Sequence, residues 1–357
     1  MDRHAEALKL LQQGTVIPAM PLVLDENRQF DENGQRVLVR YYLDAGAGGI
    51  AMAVHTTQFE IRDPKIRLYE KVLETVCDEI DRYEKRTGKV IIKIAGVCGK
   101  IQQAVKESEF SKAIGCDAVL LSPGGLSQLT EEELIERTRV VADVMPVVGF
   151  YLQPSVGGRV FSYHYWEEIC EIPGVVAIKA APFNRYLTQD VVRAAALSTR
   201  AQEIALYTGN DDNIVIDLIT DYHFEKDGKT YRKSFVGGLL GHWSVWVHTV
   251  VSYFNMLQNA KKTGAITPEI LSLANKVTDA NAAFFDTANQ FAGCIAGLHE
   301  VLRRQGLMKG IWCLNPAETL SAGQSEEIDR VYEMYPELND DAFVKENLEK
   351  WNRQELA

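Results

Sequence analysis

Eight times along this chain, a short apolar run rich in β-branched residues gives way to an amphipathic stretch with helical spacing. The runs cover residues 16–24, 49–55, 90–96, 118–122, 147–153, 175–181, 204–209 and 235–240. Helical stretches follow at 34–45, 65–86, 100–114, 131–144, 163–171, 188–197 and 213–220, with an eighth after Gly241. Apolar runs of this kind mark strands buried on both faces, as in a parallel sheet covered by helices. Eight is also the number of strands that closes a small barrel. The competing arrangement, an open doubly wound sheet, carries a glycine-rich phosphate loop after its first strand. Here the first run leads through Asp25-Glu26-Asn27 to Gly34 without a G-x-G-x-x-G.

One insertion interrupts the alternation at residues 221–233 and contains Lys226-Asp227-Gly228-Lys229, a two-residue hairpin turn signal. It lies between a helix and the next strand. That places it on the N-terminal face of a barrel, where a stabilising or subunit-contacting role is expected. After residue 260 strand signals end, and helices are expected at 268–276, 280–292, 295–305 and 325–334. The sequence therefore reads as an α/β fold, a (β/α)8 TIM barrel over residues 1–250, with a C-terminal helical region over 251–357. The tail beyond Pro336 is acidic and is expected to wrap a neighbouring subunit.

Charge and cysteine usage narrow the function classes. Asp plus Glu number 49 against 38 Lys plus Arg, a net charge of −11, which disfavours nucleic acid as a partner. No run approaches the apolar length of a membrane span, and the first residues lack the apolar core of a signal peptide. The six cysteines form no C-x-x-C pair and read as reduced core residues, so a cytoplasmic protein without a metal site is expected.

The most unusual residue is Lys179, set among Val175, Val176, Ala177 and Ile178. A cation in a buried strand is costly, and desolvation lowers its pKa. Strand alternation puts Val175, Ala177, Lys179 and Ala181 on one face. If that face is the barrel interior, the amine sits near the active-site mouth as a nucleophile toward carbonyls. If not, Lys179 is a strand-end lysine reaching solvent. Tyr151 lies near the end of the preceding run, either as a proton relay beside that amine or as a core tyrosine. His55-Thr56-Thr57-Gln58 follows the second run, with hydroxyls and successive N–H groups suited to a small carboxylate. His242 is a possible pocket residue, and Asp211-Asp212 reads as a helix cap.

These features together resemble the dihydrodipicolinate synthase and N-acetylneuraminate lyase family, over most of the chain. That family's Gly-Val-x-Gly-Ile-Lys motif is matched by Gly174-Val175-Val176-Ala177-Ile178-Lys179, and its Tyr-Asn-x-Pro motif by Tyr151-Leu152-Gln153-Pro154. Its Gly-Thr-Thr-Gly-Glu loop is matched by His55-Thr56-Thr57-Gln58-Phe59, and its Ser-Gly-x-Asp loop by Thr208-Gly209-Asn210-Asp211. The resemblance implies a metal-independent lyase, an aldolase or dehydratase, acting on pyruvate or another 2-oxo acid through a lysine Schiff base. It implies Lys179 and Tyr151 as catalytic residues, with Thr56, Thr57, His55, Gln58 and Gly209 binding substrate. It further implies no cofactor and a homo-oligomer, a tetramer or dimer.

The departures are as informative. Ser122-Pro123-Gly124-Gly125 stands where the synthases have a tyrosine pair. Val156 stands where they bind a second carboxylate with arginine, and Arg159 lies three residues on. Lysine biosynthesis is therefore not expected. His55 and Gln58 replace loop glycines, so His55 is either a substrate-facing acid–base group or a histidine bonded within the rim. The alternative function is a non-catalytic family member that binds a small carboxylate as a sensor or scaffold.

Overall fold

The apolar runs build eight parallel strands around a side-chain-filled interior. The computed structural model describes residues 2–353. The strands are β1 (Val16–Pro18), β2 (Gly49–Met52), β3 (Ile92–Val97), β4 (Ala118–Leu121), β5 (Val147–Leu152), β6 (Val175–Ala181) and β7 (Ala205–Thr208). A hairpin strand β8 (Asp221–Lys226) follows, and then β9 (Lys229–Leu240). Their order is β1-β9-β7-β6-β5-β4-β3-β2. A parallel bridge from Ala19 to Ala51 brings the first and last together, with the Met20 N–H donating to the Ala51 carbonyl at 2.9 Å. The result is the expected (β/α)8 barrel. The first run is strand only as far as Pro18, which has no N–H for the ladder.

Alternate residues divide between two cores. Ile17, Ile94, Leu120, Phe150, Ala177 and Leu239 belong to the cluster that fills the barrel, and their chain neighbours pack outward under the helices. The helix Arg3–Gln13 sends Ala7 and Leu11 into the interior cluster and so plugs the N-terminal mouth. The Tyr207 hydroxyl donates to the Leu11 carbonyl at 2.8 Å. Only the C-terminal mouth is left for a site. A register shift between β5 and β6 moves Val175 to the outer core, so the inward face of β6 begins at Ala177.

The insertion forms the expected hairpin. β8 pairs antiparallel with the first half of β9 through Asp227 and Gly228, at φ 50° and 71°, the left-handed pair that a two-residue turn requires. The second half of β9 pairs parallel with β7 and β1, so one strand joins the hairpin to the barrel.

The C-terminal region differs from expectation in three respects. The helix Val247–Thr263 runs through residue 250, where the sequence division was drawn. Residues expected as two helices form one, Pro268–Phe284, which ends before left-handed residues at Asp286, Gln290 and Phe291. The tail folds on its own barrel instead of reaching outward. In its last helix, Asp341–Arg353, the buried Trp351 donates through Nε1 to Asp44 at 2.8 Å, and Arg40 donates to the Trp351 carbonyl at 2.6 Å. Residues 354–357 of that tail lie outside the described residues. Among the described residues, no helix is long and apolar enough to cross a membrane.

Candidate active site

Lys179 lies on the inward face of β6, near its C-terminal end. Its side chain enters a cavity of about 60 Å³ at the open mouth of the barrel. The residue is 8% exposed, and Nζ lies 4.6 Å from the centroid of the Phe150 ring. Burial lowers its pKa to about 8, and the charge of Asp211 offsets part of that fall. Burial therefore makes the neutral amine more accessible than in a solvent-exposed lysine. Gly209 gives the lysine its space. A Cβ there would meet Lys179 Cε at 2.5 Å and Ala181 Cβ at 2.8 Å.

Asp211 borders the same cavity and is buried. Burial pushes its pKa up to about 7, against the opposing pull of the His242 N–H and of Lys179. Its Oδ1 accepts the His242 backbone N–H at 2.7 Å. The expected cap is thus not formed by Asp211. The helix Ile214–Ile219 follows Asn213 and has no side-chain cap. An aspartate just before a helix carries a capping signal that hides a role in a pocket.

The turn after β2 serves more than one purpose. His55 and Thr56 border the cavity. The Thr56 hydroxyl donates to the Ala19 carbonyl at 2.8 Å, and the Thr57 hydroxyl to the Met20 carbonyl at 2.7 Å. A hydroxyl has one proton to donate, so these two hydroxyls hold the chain that follows β1. Thr57 and Gln58 are buried away from the cavity. Gln58 sits at φ 67°, and its Oε1 accepts the Leu314 N–H at 2.6 Å, latching the C-terminal segment.

Tyr151, expected beside the amine, packs in the outer core. Across β5 and β6, Phe150 stands opposite Lys179 and Tyr151 opposite Ala180. Neighbouring parallel strands share faces at paired positions, so Tyr151 points to the outer side. Its ring stacks on Trp166 at 5.1 Å, and its hydroxyl accepts the Phe161 N–H at 3.2 Å. Arg159 is also elsewhere, donating to the Leu129 carbonyl at 2.6 Å, although Val156 does border the cavity. His242 stacks on Phe284 at 5.6 Å, and only its backbone serves the site, through Asp211. Burial lowers its ring pKa to about 3.

Phe285 and Cys294 close the cavity wall. They belong to the C-terminal region, far along the chain from the strand motifs, and no motif marked them. A groove of about 610 Å³ elsewhere is lined by Arg36, Arg40, Arg82 and Lys309, but each is already paired with a carboxylate. No three His, Cys, Asp or Glu side chains cluster as a metal site among the described residues.

Residues 12–334 match the model of the dihydrodipicolinate synthetase family. The chain belongs to that family. It is 25% identical over 331 residues to N-acetylneuraminate lyase 2 of Escherichia coli O6:H1, covering 91% of this chain and 95% of that one. Over 193 residues it is 28% identical to a 4-hydroxy-tetrahydrodipicolinate synthase of Staphylococcus saprophyticus, covering 53% and 60%. Solved structures of the family share the fold. The dihydrodipicolinate synthase of Oceanobacillus iheyensis superposes with a TM-score of 0.73 at 15% identity, covering 94% of this chain and 99% of that one. The N-acetylneuraminate lyase of Fusobacterium nucleatum, complexed with pyruvate, gives 0.69 at 16% identity, covering 92% and 99%. In this member of the dihydrodipicolinate synthetase family the residue paired with Lys179 across β5 and β6 is Phe150.

Proposed function

We propose that the protein is a lyase, an aldolase or dehydratase, that binds pyruvate or another 2-oxo acid as a Schiff base on Lys179 without a metal. The observation that carries this reading is the desolvated amine of Lys179, directed into a small cavity, with burial favouring its neutral form. The lone pair on Nζ attacks the keto carbon, and water leaves as the C=N bond forms. The protonated imine then draws electrons from the adjacent carbon, so a bond one carbon further along can break or form. Asp211, with a pKa raised toward neutrality, is the buried carboxyl suited to exchange a proton with the departing or entering group. The cavity volume suits a ligand of a few heavy atoms at the amine, with the remainder of a larger substrate extending to the mouth.

The test is borohydride reduction with pyruvate and a panel of 2-oxo acids, followed by peptide mass mapping. A mass increment on Lys179, unaffected by a chelator, supports the proposal. No adduct across the panel, or an adduct that persists in Lys179→Ala, overturns it. Ligand-induced thermal stabilisation with no adduct supports the non-catalytic binding role instead.

A further inference from the structure

We propose that His55 is the proton-transfer residue for imine formation, serving at Lys179 the part that a tyrosine phenol cannot serve in this cavity. The proposal rests on the Schiff-base reading above. It starts from the position of Tyr151, whose hydroxyl lies on the outer side of β5 and is occupied by the Phe161 N–H. Phe150, which faces Lys179 instead, has no exchangeable proton.

The groups bordering the cavity that can exchange a proton are few. The Thr56 hydroxyl is committed to the Ala19 carbonyl. Burial pushes the Cys294 thiol well above its ordinary range, so it stays protonated. Asp211 has one oxygen fixed by the His242 N–H. His55 differs from all of these. Its imidazole makes no hydrogen bond within the protein among the described residues, and its ring packs 5.9 Å from that of Phe59. His55 lies on the turn His55–Thr57, half-buried, and lines the cavity that Lys179 enters. Burial, and then the nearby charge of Lys179, lower its pKa to about 4, which leaves a neutral ring able to accept a proton.

The chemistry needs such a group twice. When the Nζ lone pair forms the C–N bond, the carbonyl electrons move to oxygen and leave N⁺ and O⁻ on one carbon. The imidazole takes a proton from nitrogen and returns it to that oxygen, giving the neutral carbinolamine. A second proton, drawn from solvent through the same ring, converts the hydroxyl to water. The C–O bond then breaks with its electron pair leaving on water, and the nitrogen lone pair forms C=N. The imine retains the positive charge, and no oxidant or reductant is consumed.

The experiment mixes wild type, His55→Ala and His55→Gln with pyruvate and quenches with borohydride at timed intervals, with intact mass as the readout. Wild type is expected to label fastest. Both variants are expected to label about 100-fold more slowly and to reach the same final mass. Added imidazole is expected to restore the rate in His55→Ala. Labelling of either folded variant within threefold of wild type overturns the proposal and leaves the Schiff-base reading intact. Slow labelling that imidazole does not accelerate assigns His55 a packing role and also overturns it. Failure of wild type to label sinks the Schiff-base reading, and this proposal with it.

Discussion

Phe150, not Tyr151, stands opposite Lys179 across β5 and β6. The two aromatic residues are neighbours in the chain, and alternation sends them to opposite sides of the barrel wall. The phenol is therefore a packing residue with a hydrogen bond of its own, to the Phe161 N–H. Tyr151→Phe keeps the ring stacked on Trp166 and removes only that bond. The rate of borohydride labelling with pyruvate should stay within about threefold of wild type. Stability should fall by about 1 kcal/mol, the usual net worth of one hydrogen bond, as read by urea unfolding. A loss of labelling of tenfold or more, with the fold intact, would place the phenol in the chemistry after all.

Much of this was legible in the sequence, because it depends on periodicity. Eight apolar runs separated by helical stretches reproduce the barrel strands, and Asp227-Gly228 locates the hairpin turn. Lys179 was legible because a cation among Val, Ala and Ile conflicts with its surroundings. What was not legible depends on parity and on distance along the chain. A shift of one residue exchanges Tyr151 for Phe150. Phe285, just after the helix Pro268–Phe284, and Cys294, at the start of the next, reach the cavity from well past the barrel strands. The threonine hydroxyls had plausible uses as donors to a ligand. Only the structure shows them already committed to Ala19 and Met20.

Lys179 should make the protein less stable than it would be without the charge. Its folded pKa, about 8, lies below the ordinary 10.5, so between those values the unfolded chain binds the extra proton. Stability from this group therefore rises with pH across that window. Below about 8 the penalty for burying the ammonium is fully present, and above 10.5 it is gone. The shift corresponds to a penalty on the order of 3 kcal/mol. Lys179→Met, which fills similar space without charge, should be more stable than wild type at pH 7. The difference should shrink as pH rises from 8 to 10.5. Urea titrations of both proteins at pH 7 and pH 10 measure this. A difference that stays constant would show that the amine is not desolvated in the folded state.

Gln58 joins the turn after β2 to the C-terminal segment, and it does so from a backbone conformation that disfavours side chains. Its φ of 67° is in the left-handed region, and its Oε1 accepts the Leu314 N–H at 2.6 Å. Two effects oppose each other at this position. The side chain supplies a bond to the Leu314 backbone donor of the C-terminal region, and a positive φ strains the backbone of residues other than glycine. Gln58→Ala removes the bond and keeps the strain. Gln58→Gly removes the bond and relieves the strain. The alanine variant should lose about 1–3 kcal/mol, the cost of leaving the Leu314 donor without its partner. The glycine variant should recover about 1 kcal/mol of that, since glycine adopts positive φ freely. Because the segment carrying Leu314 follows the helix that contributes Cys294 to the cavity wall, both variants should also weaken protection of amides near residue 314 in hydrogen exchange. Alanine and glycine variants of equal stability would show that the backbone at residue 58 carries no strain. Unchanged exchange at residue 314 would show that the latch does not hold the segment.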